Sequence, residues 1–246
     1  MIIKDLDVNY VQYGNKKKKD IVLLHGWNQN IEMMNFIGNK LKEDFHITVL
    51  DIPGFGKTSE PKNPYTIYDY SDFLYEFLKN LNINKPILIG HSLGGSISIV
   101  YSSLNEVEKL ILFGSPFKRK DMKNSIKYKV LKFFKKVPIL NKFENLVKNL
   151  IGSNDYKKSS EVMRKTLVNI VNQDLEEELK KIEVPTLLMW GDKDTAAKVE
   201  DAYYAESIMK DAGLVVFENS THYAYLENLD KVILIINEFL GGKKWK

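Results

Sequence analysis

Apolar, β-branched runs alternate along this chain with segments of helical period, and that rhythm constrains its fold more than any other feature. The runs "IVLLHG" (21–26), "ITVLDIPG" (47–54), "PILIGHS" (86–92), "KLILFGSP" (109–116), "PTLLMWGD" (185–192) and "GLVVFENS" (213–220) read as buried strands. Between and after them, "YTIYDYSDFLYEFLKNL" (65–81) and "LDKVILIINEFL" (229–240) carry apolar residues at helical spacing. Strands and helices in alternation predict an α/β protein: a mostly parallel sheet with helices on both faces. Most of the runs end in Gly, Ser, Asp or Asn, where loops form at the carboxyl edge of such a sheet, and ligands of open α/β sheets bind at that edge. The opening "LDVNYVQYGNKKKKDIVLL" reads as an edge hairpin with Lys16 to Lys19 at its solvated tip.

The rhythm breaks once. From Phe117 to about Lys181 only helical patterns appear, which predicts a helical cap (117–181) inserted into a core made of residues 1–116 and 182–246. The first part of this insertion is strongly basic. Residues 117–150 hold eleven Lys or Arg against Asp121 and Glu144, a balance of +9 in a chain whose total is +4. In "DMKNSIKYKVLKFFKKV", Met122, Ile126, Val130, Phe133 and Val137 fall on one helical face with lysines around most of the rest. An amphipathic helix laid on the core accounts for this pattern. An anionic membrane surface or an acidic carrier protein as partner is the sharper expectation from the same charge. No nucleic-acid partner is expected.

The remaining totals exclude several function classes. At 246 residues, 44% hydrophobic and 28% charged, the chain has room for a full core and is not of disordered composition. It contains no cysteine, which rules out a disulfide scaffold, a thiolate metal site and a cysteine nucleophile. The four histidines, His25, His46, His91 and His222, are far apart and none lies in metal-ligand spacing, so no metal is expected. "MIIKDLDVNYVQYG" lacks a signal-peptide core and no apolar run is long enough to span a bilayer, so the expected location is cytoplasmic. "PGFGKTS" imitates the end of a phosphate-binding loop, but that motif needs glycine where Asp51 stands, so a tight turn is expected there and no nucleotide.

Chemistry centres on "LIGHSLGGSIS" (88–98), a Gly-x-Ser-x-Gly at a strand-to-helix boundary. By chance alone such a pentapeptide occurs in roughly one chain in twelve of this size, so its companions decide. A serine nucleophile at position 92 needs a base, because its hydroxyl is weakly nucleophilic at its own pKa. It also needs a carboxylate to orient that base, and donors aimed at the oxyanion. In a strand–elbow–helix arrangement the acid and then the histidine follow the serine. His222 is the only histidine that follows, in the loop after the last strand. The acid lies in "GDKD", where spacing leaves Asp192 and Asp194 equivalent. The amide of Leu93, at the start of the following helix, and that of Trp27, in "LLHGWNQN", are the candidate oxyanion donors.

Taken together, "HGW" (25–27), "DIPGFGKT" (51–58), "GHSLGG" (90–95), "GDKD" (191–194) and "THYAYLEN" (221–228) resemble the α/β-hydrolase fold superfamily from about Ile21 to Leu240. The resemblance implies that the triad acid is the second carboxylate of the turn, Asp194, giving Ser92–Asp194–His222. It also implies a cap, no cofactor, and hydrolysis of a carboxylic ester through an acyl-enzyme. The chain departs from the family pattern at "TAAK" after the acid and at Thr221, where glycine is usual; neither change removes a catalytic group. Relatives with the same triad act on thioesters, amides or carbon–carbon bonds, and some are ligand receptors. "HGW" with "DIPGFG" is similar to esterases of acyl-carrier methyl esters, while the basic cap would also suit a lysophospholipid or monoacylglycerol lipase.

Overall fold

The computed structural model describes residues 1–118 and 159–241. Its main sheet has seven strands: β3 (Tyr10–Gly14), β4 (Asp20–Leu24), β5 (His46–Leu50), β6 (Ile87–His91), β7 (Lys109–Phe113), β8 (Thr186–Gly191) and β9 (Ala212–Phe217). They run in the spatial order β3-β5-β4-β6-β7-β8-β9, with β3 antiparallel to β5 and every other pair parallel. A short antiparallel ribbon, β1 (Ile2–Ile3) and β2 (Leu6–Asp7), stands apart. All six apolar runs read from the sequence are strands of the parallel set.

Among the described residues the helices are α1 (Ile31–Leu41), α2 (Ile67–Asn80), α3 (Leu93–Leu104), α4 (Glu161–Val171), α5 (Glu176–Lys181), α6 (Val199–Ile208), α7 (Ala224–Glu227) and α8 (Leu229–Leu240). Local chemistry sets their ends. Thr66 and Asp69 form a reciprocal capping box at the start of α2, Asn30 caps α1, and Gly241, at φ 74°, terminates α8 in the left-handed conformation. Central strands are buried on both faces, and alternate residues feed two cores. Val22, Leu24, Leu88 and Leu112 pack with α2 and α3; Ile21, Leu23, Ile89 and Phe113 pack with α1 and α8.

The opening segment corrects one expectation. β3 and β4 do not form a hairpin, because β5 lies between them and pairs with both. The lysine run therefore sits in a link that crosses the start of β5, where the His46 N–H donates to the Lys19 carbonyl at 3.0 Å. The stretch "PGFGKTS" is the tight turn expected: Gly54 and Gly56 have φ of 87° and 57°, and the Lys57 N–H donates to the Asp51 carboxylate at 2.8 Å. Of the stretch 117–181, the described part contains α4 and α5, and the amphipathic pattern from Met122 to Val137 lies outside the described residues. Among the described residues no helix is long and apolar enough to cross a membrane.

The chain leaves β4 toward β5 on one side and returns to place β6 on the other. This reversal opens a crevice at the carboxyl ends of β4 and β6, where ligands of doubly wound sheets bind. The loops that carry Trp27 and Ser92 leave from those two strand ends.

Candidate active site

Register brings the predicted residues to one edge. Leu24 pairs with Gly90, His91 with Phe113, Phe113 with Met189, and Gly191 with Phe217. The loops following these strands are therefore neighbours, although they span most of the chain.

Ser92 occupies the one-residue corner between β6 and α3, with φ 50° and ψ −114°. A non-glycine residue held there costs about 1–3 kcal/mol and persists only when its surroundings impose it. The Ser92 N–H donates to the Phe113 carbonyl at 2.9 Å, and the Gly94 N–H donates to the His25 carbonyl at 3.1 Å, pinning both sides of the bend. The glycines of the pentapeptide are dictated by close approach. A Cβ on Gly90 would lie 2.5 Å from the Gly94 backbone, and one on Gly94 would lie 2.3 Å from the Leu24 carbonyl oxygen. Ser92 stands at the N-cap of α3, yet its hydroxyl makes no capping bond.

Asp194 and Asp192, equivalent by spacing, separate here. Asp194 is buried, and its Oδ2 lies 2.7 Å from His222 Nδ1. Its Oδ1 accepts the N–H groups of Ala196 and Ala197, both at 2.8 Å. Asp192 is exposed and accepts the Ser220 N–H at 3.1 Å, which ties down the start of the loop that carries His222. Gly114 lies beneath the pair with φ 48°, and a Cβ there would come within 3.0 Å of both Asp194 Oδ2 and His222 Nδ1.

No hydrogen bond joins Ser92 Oγ to His222 among the described residues; such contacts commonly tighten only once substrate is bound. What ties the two residues is the neighbour of the serine: His91 Nε2 lies 3.0 Å from the His222 carbonyl oxygen. The amides of Trp27 and Leu93 meet no acceptor among the described residues. Both residues border, with Ser92, an apolar cavity walled by Ile67, Phe117, Leu167 and Leu175.

Supporting residues that motif reasoning passed over complete the site. Asp51 is buried and accepts from Asn9 Nδ2 at 2.6 Å, the Ile31 N–H at 2.8 Å and the Lys57 N–H, joining the start of α1 to the turn after β5. A Cβ on Gly56 would strike this carboxylate, which explains the second glycine of "PGFG". His25 is buried and donates from Nδ1 to the Gly26 carbonyl at 2.7 Å, while its Nε2 accepts the Ile52 N–H at 3.0 Å. Burial pulls this imidazole down to about 4 and keeps it neutral. The only sequence signal for these residues was their place in the "HGW" and "DIPGFG" stretches. Among the described residues no cluster of three or more His, Asp or Glu is placed to hold a metal ion.

The fold and this edge define the class. Residues 20–154 match the family model of the alpha/beta hydrolase fold, and the chain belongs to that family. It is similar to AB hydrolase superfamily protein YisY of Bacillus subtilis (strain 168), at 28% identity over 90% of this chain and 91% of that protein. Lipase 1 of Psychrobacter immobilis is likewise 28% identical, over 90% of this chain and 77% of its own length. Among solved structures, the enol-lactonase from Burkholderia xenovorans LB400 superposes with a TM-score of 0.78 at 17% identity, covering 97% of this chain and 98% of that one, a likeness of fold.

Proposed function

We propose that the protein hydrolyses a carboxylic ester through an acyl-enzyme on Ser92. The observation that carries this reading is the 2.7 Å contact of buried Asp194 with His222, at the sheet edge that also holds a strained serine whose hydroxyl makes no capping bond to its helix. Asp194 holds the His222 proton on Nδ1, leaving Nε2 free as base. Ser92 Oγ attacks the ester carbonyl as Nε2 takes its proton, and the Trp27 and Leu93 amides receive the oxyanion. The tetrahedral species collapses, His222 returns the proton to the departing alcohol, and water releases the acid by the same steps in reverse order. The cavity beside Ser92 is lined mainly by apolar side chains, with Lys118 the charged residue among them, which supports a largely apolar acyl chain. Lipase 1, itself named for hydrolysis of esters, supports the same class.

Of the stretch 117–181 expected to form a cap, Phe117, Leu167 and Leu175 contribute wall to the acyl cavity. The +9 balance of residues 117–150 favours a substrate presented on an anionic membrane or an acidic carrier protein.

A fluorophosphonate probe with mass-spectrometric mapping tests the proposal. Labelling at Ser92, abolished in Ser92→Ala and His222→Ala, is the expected result. A folded wild type that binds esters without labelling or turnover overturns it in favour of a ligand receptor.

A further inference from the structure

We propose that His91 is a positioning residue whose Nε2–H, donated to the His222 carbonyl, clamps the loop of the base to the elbow. The inference rests on the esterase reading above and adds a role to a side chain outside the triad.

His91 is fully buried at the end of β6, one residue before Ser92. Its ring reaches two loops at once. Nε2 lies 3.0 Å from the His222 carbonyl oxygen, and Nδ1 lies 3.2 Å from Gln29 Oε1. Gln29 Oε1 also accepts the Gly26 N–H at 2.9 Å, and Gly26 immediately precedes the oxyanion donor Trp27. Packing confirms how closely the imidazole is pressed to that loop: a Cβ on Gly26 would lie 2.9 Å from His91 Nδ1. One side chain thus packs against the segment that holds the oxyanion amide and joins the nucleophile's own strand to the loop of the base.

Proton counting allows one of these two contacts to be a hydrogen bond. A carbonyl oxygen can only accept, so the contact with His222 requires hydrogen on Nε2. A neutral imidazole has no second hydrogen for Nδ1, and Gln29 Oε1, held by the Gly26 N–H, has none to give, so the 3.2 Å approach of these two acceptors is a packing contact. Burial and the neighbouring His222 hold His91 well below the usual histidine range, in the neutral form. In the proposed tautomer Nε2–H is committed to the His222 carbonyl, the shorter of the two contacts.

His222 is then held at two points, by Asp194 through its ring and by His91 through its backbone. Removing the second anchor lets residues 221–223 shift while the acyl cavity, to which His91 does not contribute, stays as it is. A displacement of about 1 Å in a reacting group costs on the order of 100-fold in rate, so the loss should appear in kcat and not in KM.

The competing role is packing alone, since the His91 ring lies 4.7 Å from that of His222 and 4.8 Å from that of Tyr225. Two variants separate the roles. Glutamine places an amide N–H near the position of Nε2, whereas methionine fills the volume without a donor. On a short-chain ester, His91→Met should lose about 10- to 100-fold in kcat at unchanged KM, and His91→Gln should recover most of it. Equal losses in both variants, wild-type kcat in His91→Met, or a loss carried by KM would overturn the clamp. Imidazole ¹⁵N–¹H spectra of the wild type, with His91 assigned by its absence in His91→Gln, give a readout independent of activity. A neutral Nε2–H tautomer is expected, and an Nδ1–H tautomer overturns the proposal. A wild type that neither labels nor turns over, yet carries Nε2–H on His91, defeats the esterase reading and leaves the loop clamp standing. A wild type that labels while His91→Met labels at the same rate defeats the clamp alone.

Discussion

Asparagine at position 194 tests the catalytic assignment more sharply than alanine, because the surrounding backbone dictates which way its carboxamide points. Asp194 Oδ1 accepts two amide hydrogens, from Ala196 and Ala197, each at 2.8 Å. In Asp194→Asn the carbonyl oxygen must keep that position, since an NH₂ group there would face two donors. The NH₂ is thereby turned toward His222 Nδ1, 2.7 Å from the atom it replaces, and donates to it. An imidazole that accepts at Nδ1 carries its hydrogen on Nε2, so it cannot take the Ser92 proton. For a serine–histidine–carboxylate site this error of tautomer is worth on the order of 10⁴ in kcat, about 5.5 kcal/mol of barrier.

Stability should hardly move, because the substitution is isosteric and both backbone bonds survive. Trading charged for neutral acceptors costs about 1–2 kcal/mol, a few degrees of Tm in a chain of this length. Asp194→Ala is the poorer probe, as it strands two buried amides and confounds rate with folding. Asp192→Asn is the control: its Oδ1 keeps the Ser220 N–H, so kcat should stay within about threefold of wild type. The assay is steady-state hydrolysis of a chromogenic ester, with the labelling rate at Ser92 and a melting curve on each variant. Retention of more than about a tenth of kcat in Asp194→Asn, against the 10⁴ expected from tautomer loss, would refute the reasoning. So would Asp192→Asn falling as far as Asp194→Asn.

Gly114→Ala should lower kcat about tenfold or more, because φ 48° strains alanine and its Cβ would press within 3.0 Å of both Asp194 and His222; unchanged kcat in a folded variant contradicts that. Asp51→Ala leaves the donors of Asn9, Ile31 and Lys57 without their carboxylate, so a loss of about 3–5 kcal/mol is expected in urea unfolding. A change below about 1 kcal/mol, the scale of a single net hydrogen bond, rules that account out. Acid should destabilise the fold through its buried imidazoles. His25 is pulled down to about 4 from an ordinary value near 6.5, so the unfolded chain protonates first. Full stability therefore holds above about pH 6.5 and is lost as pH falls toward 4, by up to about 3 kcal/mol for His25, with His91 acting in the same direction. Urea midpoints that stay level from pH 7.5 to 4.5 contradict this.

How far the sequence could be read depended on whether each feature has a local cause. The central parallel strands were legible because both-face burial writes a continuous apolar run, and α2 because Thr66 and Asp69 spell out its cap. Strand pairing was not legible. Alternation in Tyr10–Gly14 marks a strand but not its neighbour, and the antiparallel partner is β5, not the strand next in sequence. Asp192 and Asp194 illustrate the same limit at the site: the turn offers two carboxylates at equal sequence cost, and only the third dimension buries one against His222. His91 and Gln29 carry no spacing at all, since their contact spans 62 residues and that of His91 with His222 spans 131. The glycines mark the boundary between the two kinds of feature. Gly94, Gly26 and Gly114 are required by what presses on them from distant parts of the chain, yet each is written locally as a residue without a side chain. A motif of glycines around a serine is thus the local imprint of a long-range assembly. That is why "GHSLGG" could point to a crowded elbow at Ser92 while the residues that crowd it had to be found in the fold.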